Sequence, residues 1–522
     1  MVRGILTVGG WTMVSRLLGF ARDILIAALL GAGPVADAFF VANRLPNLFR
    51  RLFGEGAFNA AFVPAFSAVM TAEGRPAAAR FAGQAASVMA FWLFGLTVLA
   101  EIFMPQVLAV IAPGFSAIPA KFQLAVTLSR IAFPYMPLIC LTALVSGVLN
   151  GLDRFAAAAA APVLYNLATI AFMLGLSGVV PTAGHALALG VAVSGVLQLG
   201  MVAWAVRRAG VHIPLPRPRL TPQVRLLLRR MTPGLLGAGV TQLNLSVDVI
   251  IGSLLPPGTV SVLYYADRVN QLPLGTIGAA VGTALLPTLS RQVAGGAPRD
   301  AVVTLNRAIE YALLLTLPAA LALMVCDVPI IAVLFGRGAF APPAVLKSAE
   351  ALAAYAAGLP AFVLVKVLVP AFFARGDTAA PVKIGTAAVV LNLVLNLLLM
   401  GPLQHLGPPI ASTIAAWGNV AALGVILHRR GHFAADAVLR RRVVRMLAAS
   451  GVMVGVLWAM QGSVYAALDT GGGHGLRWLG LVLLVGGGMA AYGIAGQVLG
   501  AFSVQEVARR LLRRRRPAPV QG

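Results

Sequence analysis

Acid is scarce in this chain: 16 Asp and Glu stand against 40 Lys and Arg, and charged residues of both signs fill only 11% of the 522 positions. With 59% of residues hydrophobic, this excludes an ordinary soluble domain, where about a quarter of residues are charged. Cysteine is almost missing. Cys140 and Cys326 both lie in apolar runs, which argues against a disulfide or a thiolate metal site. The 6 histidines are scattered without ligand spacing. There is no Gly-rich phosphate loop before a Lys, no H-E-x-x-H pair and no nucleophile elbow, so the sequence points away from an enzyme. The first apolar run lacks a small-residue cleavage site and is expected to stay as a span rather than leave as a signal peptide.

What is present is apolar length. Runs of about 20 residues, enough to cross a hydrocarbon core, recur throughout the chain. The expected fold is an all-α integral membrane protein with about 14 transmembrane helices. One of these runs, 34–71, is long and broken near Phe49 to Gly56. The 56 glycines and 33 prolines do not oppose this reading, because both are common in membrane helices.

Basic residues set the orientation. Arg207, Arg208, Arg217, Arg219, Arg225, Arg229 and Arg230 crowd one connection, and Arg429, Arg430, Arg440, Arg441, Arg442 and Arg445 crowd another. Both fall on one side of such a chain, together with the tail residues Arg509, Arg510 and Arg513 to Arg516. The opposite loops carry little beyond Lys121, Arg337, Lys347 and Arg477. By the positive-inside rule the basic side is cytoplasmic, and both termini with it. The net charge of +24 then belongs to short juxtamembrane loops, suited to anionic membrane lipids. Nucleic acid is not an expected partner, since neither aromatic interleaving nor a presenting module accompanies the charge.

A shift of about 224 residues lays "FFVANRLPNLF" (39–49) on "LYYADRVNQLP" (263–273), and brings Asp23 onto Asp248 and Asp153 onto Asp377. The expected organisation is two parallel repeats of about six helices, related by an axis along the membrane normal. An N-terminal bundle covers 1–220, a C-terminal bundle covers 221–438, and two additional transmembrane helices with a basic cytoplasmic tail cover 439–522. The run "RFAAAAAAPVL" (154–164) permits close helix packing and by itself suggests no chemistry.

A charge at the bilayer centre costs roughly 2.5–3.5 kcal/mol on insertion scales. Arg16, Arg22, Arg44, Arg50, Arg51 and Arg268 are therefore expected to line water or meet acids rather than face lipid. On a regular helix Arg16, Gly19, Phe20 and Asp23 share a face, and Asp37, Arg44 and Arg51 share another with Glu55 one turn on. Neutral pairing would account for Asp23, Asp37 and Glu55, but these and Asp267 are four acids against six arginines, leaving two positive charges over. Excess guanidinium in a hydrated cavity between the bundles suits an anion, because the planar fork binds phosphate oxygens bidentately. Since Arg16, Arg22, Arg50 and Arg51 have no basic counterparts in the second repeat, the site is expected to be concentrated in the N-terminal bundle, with Arg268 reaching in from the other. Any driving force is then an ion gradient or the membrane potential, which releases about 2.3 kcal/mol per charge per 100 mV when an anion moves outward.

The stretches "SRLLGFARD" (15–23), "ADAFFVANRLPNLFRRLFGEGAFNAAFVPAF" (36–66) and "YYADRVNQLPLGTIGAAVGTALLPTLS" (264–290) resemble the MurJ (MviN) lipid II flippases of the multidrug/oligosaccharidyl-lipid/polysaccharide exporter superfamily. The resemblance covers essentially the whole chain. It implies a protein of the bacterial inner membrane that moves lipid II, undecaprenyl-pyrophosphate disaccharide-pentapeptide, from the inner to the outer leaflet by alternating access for cell-wall synthesis. It assigns Arg16, Arg22, Arg50 and Arg268 to the pyrophosphate or its sugars and makes Asp23, Asp37 and Glu55 their acidic partners. The last two helices would form a groove for the lipid tail, and the cell-wall synthesis machinery would be a partner. No cofactor is implied; coupling would be to the membrane potential or to a monovalent cation. The candidates for that cation are Asp248 and Asp377, although Phe373 and Leu393 stand where polar ligands would be expected. Gln271 replaces an acid that many relatives carry. A flippase for another undecaprenyl-linked glycan, such as an O-antigen or capsule unit, shares most of these features. A cation antiporter would need excess acid rather than excess base, and a non-transporting cell-wall scaffold would need no arginine-lined cavity at all.

Overall fold

The computed structural model describes the backbone of residues 2–54, 57–471 and 474–502, and their side chains except at 2–6, 52–54, 57, 59–60, 233–246, 278–284, 469–471 and 474. Glu55, an expected site residue, and the tail arginines Arg509, Arg510 and Arg513 to Arg516 lie outside the described residues. Every regular element among the described residues is helical. Contacts group the chain into two units, Met1–Ser261 with Arg337–Ala344, and Val262–Gly336 with Val345–Gly522.

The first unit holds α1 (Val2–Leu30), α2 (Pro34–Ala42), α3 (Arg44–Gly54), α4 (Ala57–Ile102), α5 (Met104–Ile111), α6 (Pro119–Ala132), α7 (Tyr135–Gly151), α8 (Phe155–Leu176), α9 (Ala183–Arg208) and α10 (Pro222–Leu254). Proline opens α2, α6 and α10, where its fixed φ suits the first turn and its missing N–H leaves no bond unmade. Inside α4 the chain reverses at Gly74 (φ 83°, ψ 175°), a conformation that a side chain would resist. Phe81, beyond that break, stacks on Phe62 before it, with ring centroids 5.8 Å apart. Phe58 and Phe66 extend the stack at 5.1 and 5.9 Å from Phe62. Aromatic packing thus closes the hairpin that Gly74 permits. Farther along the chain, α8 lies against α1 and α9.

The second unit holds α11 (Thr259–Ala294), whose first turn belongs to the first unit, then α12 (Pro298–Val325), α13 (Asp327–Phe335), α14 (Pro342–Ala356), α15 (Leu359–Phe373), α16 (Ala379–Leu403), α17 (Gly407–Arg429), α18 (Ala437–Met460), α19 (Ala466–Gly471) and α20 (His474–Val498). Helix α12 packs on α15 and α18, and α18 packs on α20. Helix α16 is inside out by the standards of a water-soluble protein. Its buried residues are Pro381, Asn392 and Asn396, while Leu397 and Leu398 are 55% and 65% exposed. Asn396 donates to the Asn392 carbonyl (3.0 Å), and the Ser412 hydroxyl of α17 reaches the Asn392 side-chain oxygen (3.4 Å). Polar side chains turned inward and leucines turned outward fit hydrocarbon as the solvent.

Among the described residues, nine helical segments are long and apolar enough to cross a membrane. Two of them, Ala61–Ile102 and Ala379–Arg429, run to 42 and 51 residues, about twice the length one crossing needs. This is a multi-pass membrane protein.

Candidate polar site in the first unit

The charged residues of α1 sit on a helix otherwise made for lipid, and their neighbours explain how that is tolerated. Asp23 is fully buried, and the Arg22 guanidinium, 12% exposed, folds back onto it with Nη2 and Nε 2.7 and 3.2 Å from Oδ1. Adjacent helical residues do not normally face each other; the long Arg side chain makes this contact possible. Arg22 Nη1 donates to Asn166 Oδ1 on α8 (3.1 Å), and its guanidinium carbon lies 5.1 Å from the centre of the Tyr165 ring. Asn166 in turn donates to the Ser15 carbonyl (3.0 Å), which ties α8 to α1 at a second point, N-terminal to the arginine. An acid, an amide and an aromatic face therefore hold Arg22 in one orientation. Arg16 lies nearly two turns earlier on α1 and is exposed.

The band continues through α2 and α3. Asn43 donates to the Tyr165 hydroxyl (3.3 Å), Asn47 donates to the Asn43 carbonyl (2.9 Å), and Arg50 Nε donates to Asn47 Oδ1 (3.2 Å). Arg44, Arg50 and Arg51 are all half-buried. The chain breaks between α2 and α3 at Asn43, so the seven-residue register of Asp37, Arg44 and Arg51 crosses a junction rather than following one helix.

Asp37 stands apart from this band. It is fully buried and accepts four hydrogen bonds: Lys121 Nζ (2.7 Å) and Gly258 N (2.7 Å) on Oδ2, with Ser261 N (2.8 Å) and Ser261 Oγ (2.8 Å) on Oδ1. Lys121, which the sequence places in an outer loop, is only 4% exposed and lies 3.9 Å from the centre of the Phe115 ring. Gly258 suits its place because its φ is +94° and a Cβ there would lie 3.2 Å from the Ala32 carbonyl oxygen. The structure uses the Asp37 carboxylate to join α2, α6 and the start of α11 within this unit.

In the second unit, Arg268 and Asp267 are half-buried on α11, and Gln271 donates to Asp267 one turn back. Gln271 thus serves an aspartate on its own helix. Asp377 lies between α15 and α16, where it accepts from Arg430 Nη1 (2.6 Å) and from Ala380 N (2.9 Å). The Arg430 contact holds its carboxyl below the usual carboxylate range, aided by the backbone bond. Asp248 is half-buried on α10 of the first unit. Among the described residues no three His, Cys, Asp or Glu side chains gather as a metal site.

The profile of the family described as Lipid II flippase MurJ matches residues 26–471. This chain belongs to the MurJ family. A relative from Rhizobium tropici, named Probable lipid II flippase MurJ, is 44% identical over 99% of this chain and 98% of its own. The Lipid II flippase MurJ of Burkholderia cenocepacia is 35% identical over 88% of this chain and 89% of its own. A solved Lipid II flippase MurJ in an inward closed conformation shares the fold, with a TM-score of 0.78 over 97% of this chain and 100% of that one at 23% identity. An inward-facing MATE multidrug transporter of the MOP superfamily follows with a TM-score of 0.64, covering 84% of this chain and 99% of that chain at 18% identity. MurJ proteins are transporters rather than enzymes.

Against this MurJ background, Asn43, Asn47, Tyr165 and Asn166 are the parts of the polar band that charge alone does not reveal. A sequence signal existed for the last of them. An Asn inside the apolar run "PVLYNLATIAF" (162–172) is costly in lipid unless it meets a partner.

Proposed function

We propose that this chain carries undecaprenyl-pyrophosphate-linked peptidoglycan precursor, lipid II, from the inner to the outer leaflet of the bacterial cytoplasmic membrane. The observation that carries the reading is its 44% identity over 99% of the chain to a relative named for that activity. The polar band of the first unit supports it. Arg22 is held from behind by Asp23, Asn166 and Tyr165, a pre-organised guanidinium of the kind that binds phosphate with little further ordering. Arg16, Arg44, Arg50 and Arg51 supply further positive charge in the same unit, and Arg268 is assigned to the substrate from its sequence motif.

The membrane potential is the driving force we assign. Outward movement of two negative charges releases roughly 4–5 kcal/mol per 100 mV when the cytoplasm is negative. Asp377 is already engaged by Arg430 and Ala380 N, which favours the potential over a cation held at that carboxylate. The orientation assigned from the basic loops places both termini in the cytoplasm.

The test is rescue of cells depleted of their own lipid II flippase, with outer-leaflet lipid II measured directly at matched membrane levels of protein. Wild type is expected to restore both growth and surface lipid II. Arg22→Ala is expected to lower the translocation rate about tenfold or more, the loss of at least one charge-assisted hydrogen bond to substrate. Failure of a well-expressed wild type would redirect the reading to another lipid-linked glycan. Full rescue by Arg16→Ala, Arg22→Ala, Arg50→Ala and Arg268→Ala alike would overturn the site and leave the family standing.

A further inference from the structure

The first unit has a second basic feature, separate from the polar band. A cleft of about 440 Å³ opens where α7 turns into α8 beside the last turn of α9, and it is lined by Arg154, Ala156, Ala157, Trp204, Ala205 and Arg208 among others. Small side chains make the room. The alanine run that begins at Ala156, together with Ala205, leaves space that larger residues would fill.

The turn that presents Arg154 is firmly held. Leu152 N donates to the Val148 carbonyl (3.1 Å), Asp153 N to Asn150 (3.1 Å) and Arg154 N to Leu149 (2.9 Å). The last of these bonds closes a helix-ending loop around Asp153, whose φ of +58° is left-handed, a region that aspartate tolerates better than most side chains. On the other wall, the Arg208 guanidinium lies 5.2 Å from the centre of the Trp204 ring. Trp204 is 59% exposed and sits one turn before the basic end of α9, where tryptophan marks the boundary between lipid and water. Arg154, Arg208 and Asp153 are all exposed, and among the described residues no acid forms an ion pair with either arginine.

We propose that this cleft binds the headgroup of an anionic phospholipid of the phosphatidylglycerol type, with Arg154 and Arg208 on the phosphate, Asp153 accepting from a headgroup hydroxyl, and the acyl chain running along Trp204 and the alanine wall. The charge count supports the choice: two guanidiniums and one carboxylate leave the cleft at +1, matched by a phosphodiester at −1. A free inorganic anion would leave the apolar walls and Trp204 without a role, whereas a lipid uses both. A choline headgroup would offer Asp153 no hydrogen-bond donor. The inference relies on the functional reading above only for which membrane surface the cleft meets. Its test is made in detergent, independently of lipid II transport.

The full-length protein would be incubated with phosphatidylglycerol, phosphatidylethanolamine or phosphatidylcholine, and the first retained lipid counted by native mass spectrometry. Phosphatidylglycerol is expected to be retained best and phosphatidylcholine least. Arg154→Gln with Arg208→Gln is expected to lower phosphatidylglycerol retention about tenfold, the equivalent of one charge-assisted hydrogen bond. The equally basic pair Arg440→Gln with Arg441→Gln is expected to leave it unchanged. Ala156→Leu keeps every charge and fills the cleft; loss of retention here too guards against a folding defect in the charge variant. Equal retention of phosphatidylcholine, equal loss in both arginine pairs, or displacement of the lipid by inorganic phosphate would each overturn the proposal.

Discussion

Asp37 and Lys121 form a buried ion pair whose members are not equally dependent on it. Asp37 keeps three further donors, from Gly258 N and from the backbone and hydroxyl of Ser261, when the ammonium is removed. Among the described residues Lys121 keeps only the Phe115 ring, and it has 4% of its surface exposed. Asp37→Ala is therefore expected to destabilise the first unit by about 3–5 kcal/mol, because it strands a buried ammonium. Lys121→Met should cost clearly less; melting of the two purified variants in detergent would rank them, and equal losses would show that Lys121 has other support. Asp377 carries a pH dependence of known sign. Its carboxyl is held below the usual range by Arg430, so the stability it contributes is fully present above the ordinary Asp range and is lost as pH falls through the lowered value. Arg430→Gln should remove that contribution at neutral pH, and the gap to wild type should close as both are acidified. A gap that stayed constant through the acid range would assign Arg430 to packing.

At the scale of elements, α12 and α18 are joined by more than apolar contact. Glu310 on α12 is buried and accepts from both Arg307 and Arg442, while Arg307 also meets Asp436 at the start of α18. Asn306 adds a bond to the Ala434 carbonyl (2.9 Å) and receives one from Asp436 N (3.3 Å). Glu310→Ala leaves two guanidiniums without their shared acceptor. It is expected to raise hydrogen exchange at 434–446 while leaving α8 and α9 as in wild type; unchanged exchange there would mean that the apolar contacts alone hold α18. This clasp was not legible in the sequence, where Glu310 is one acid in an apolar run and its partner Arg442 lies 132 residues away. That Asn166 would meet Arg22 was hidden for the same reason, since the two lie 144 residues apart. The helices themselves were legible because apolar length is a local property. Apolar runs could be read in place, whereas pairing between distant polar side chains could not.

For the whole molecule, the basic loops make orientation the first property to check. With reporters fused in the 209–221 and 430–436 connections, cytoplasm-active fusions are expected to work and export-dependent ones to stay silent, with the reverse at 177–182. The opposite pattern would invert the assigned direction of transport. The all-helical, multi-pass character rests on apolar runs spread along 522 residues, which is why it could be anticipated when the partners that meet at the Asp37 site could not. That site also constrains how the protein is made. Asp37 leaves the ribosome 224 residues before Ser261; at roughly 5–20 residues per second that is a wait of about 10–45 s. Lys121, 84 residues behind Asp37, is the first partner to arrive. During insertion the early helices therefore hold a carboxylate with only part of its final complement. A translocon or insertase that shelters polar groups is the natural place for it to wait, and a chain truncated before Gly258 should be a marked substrate for membrane quality-control proteases.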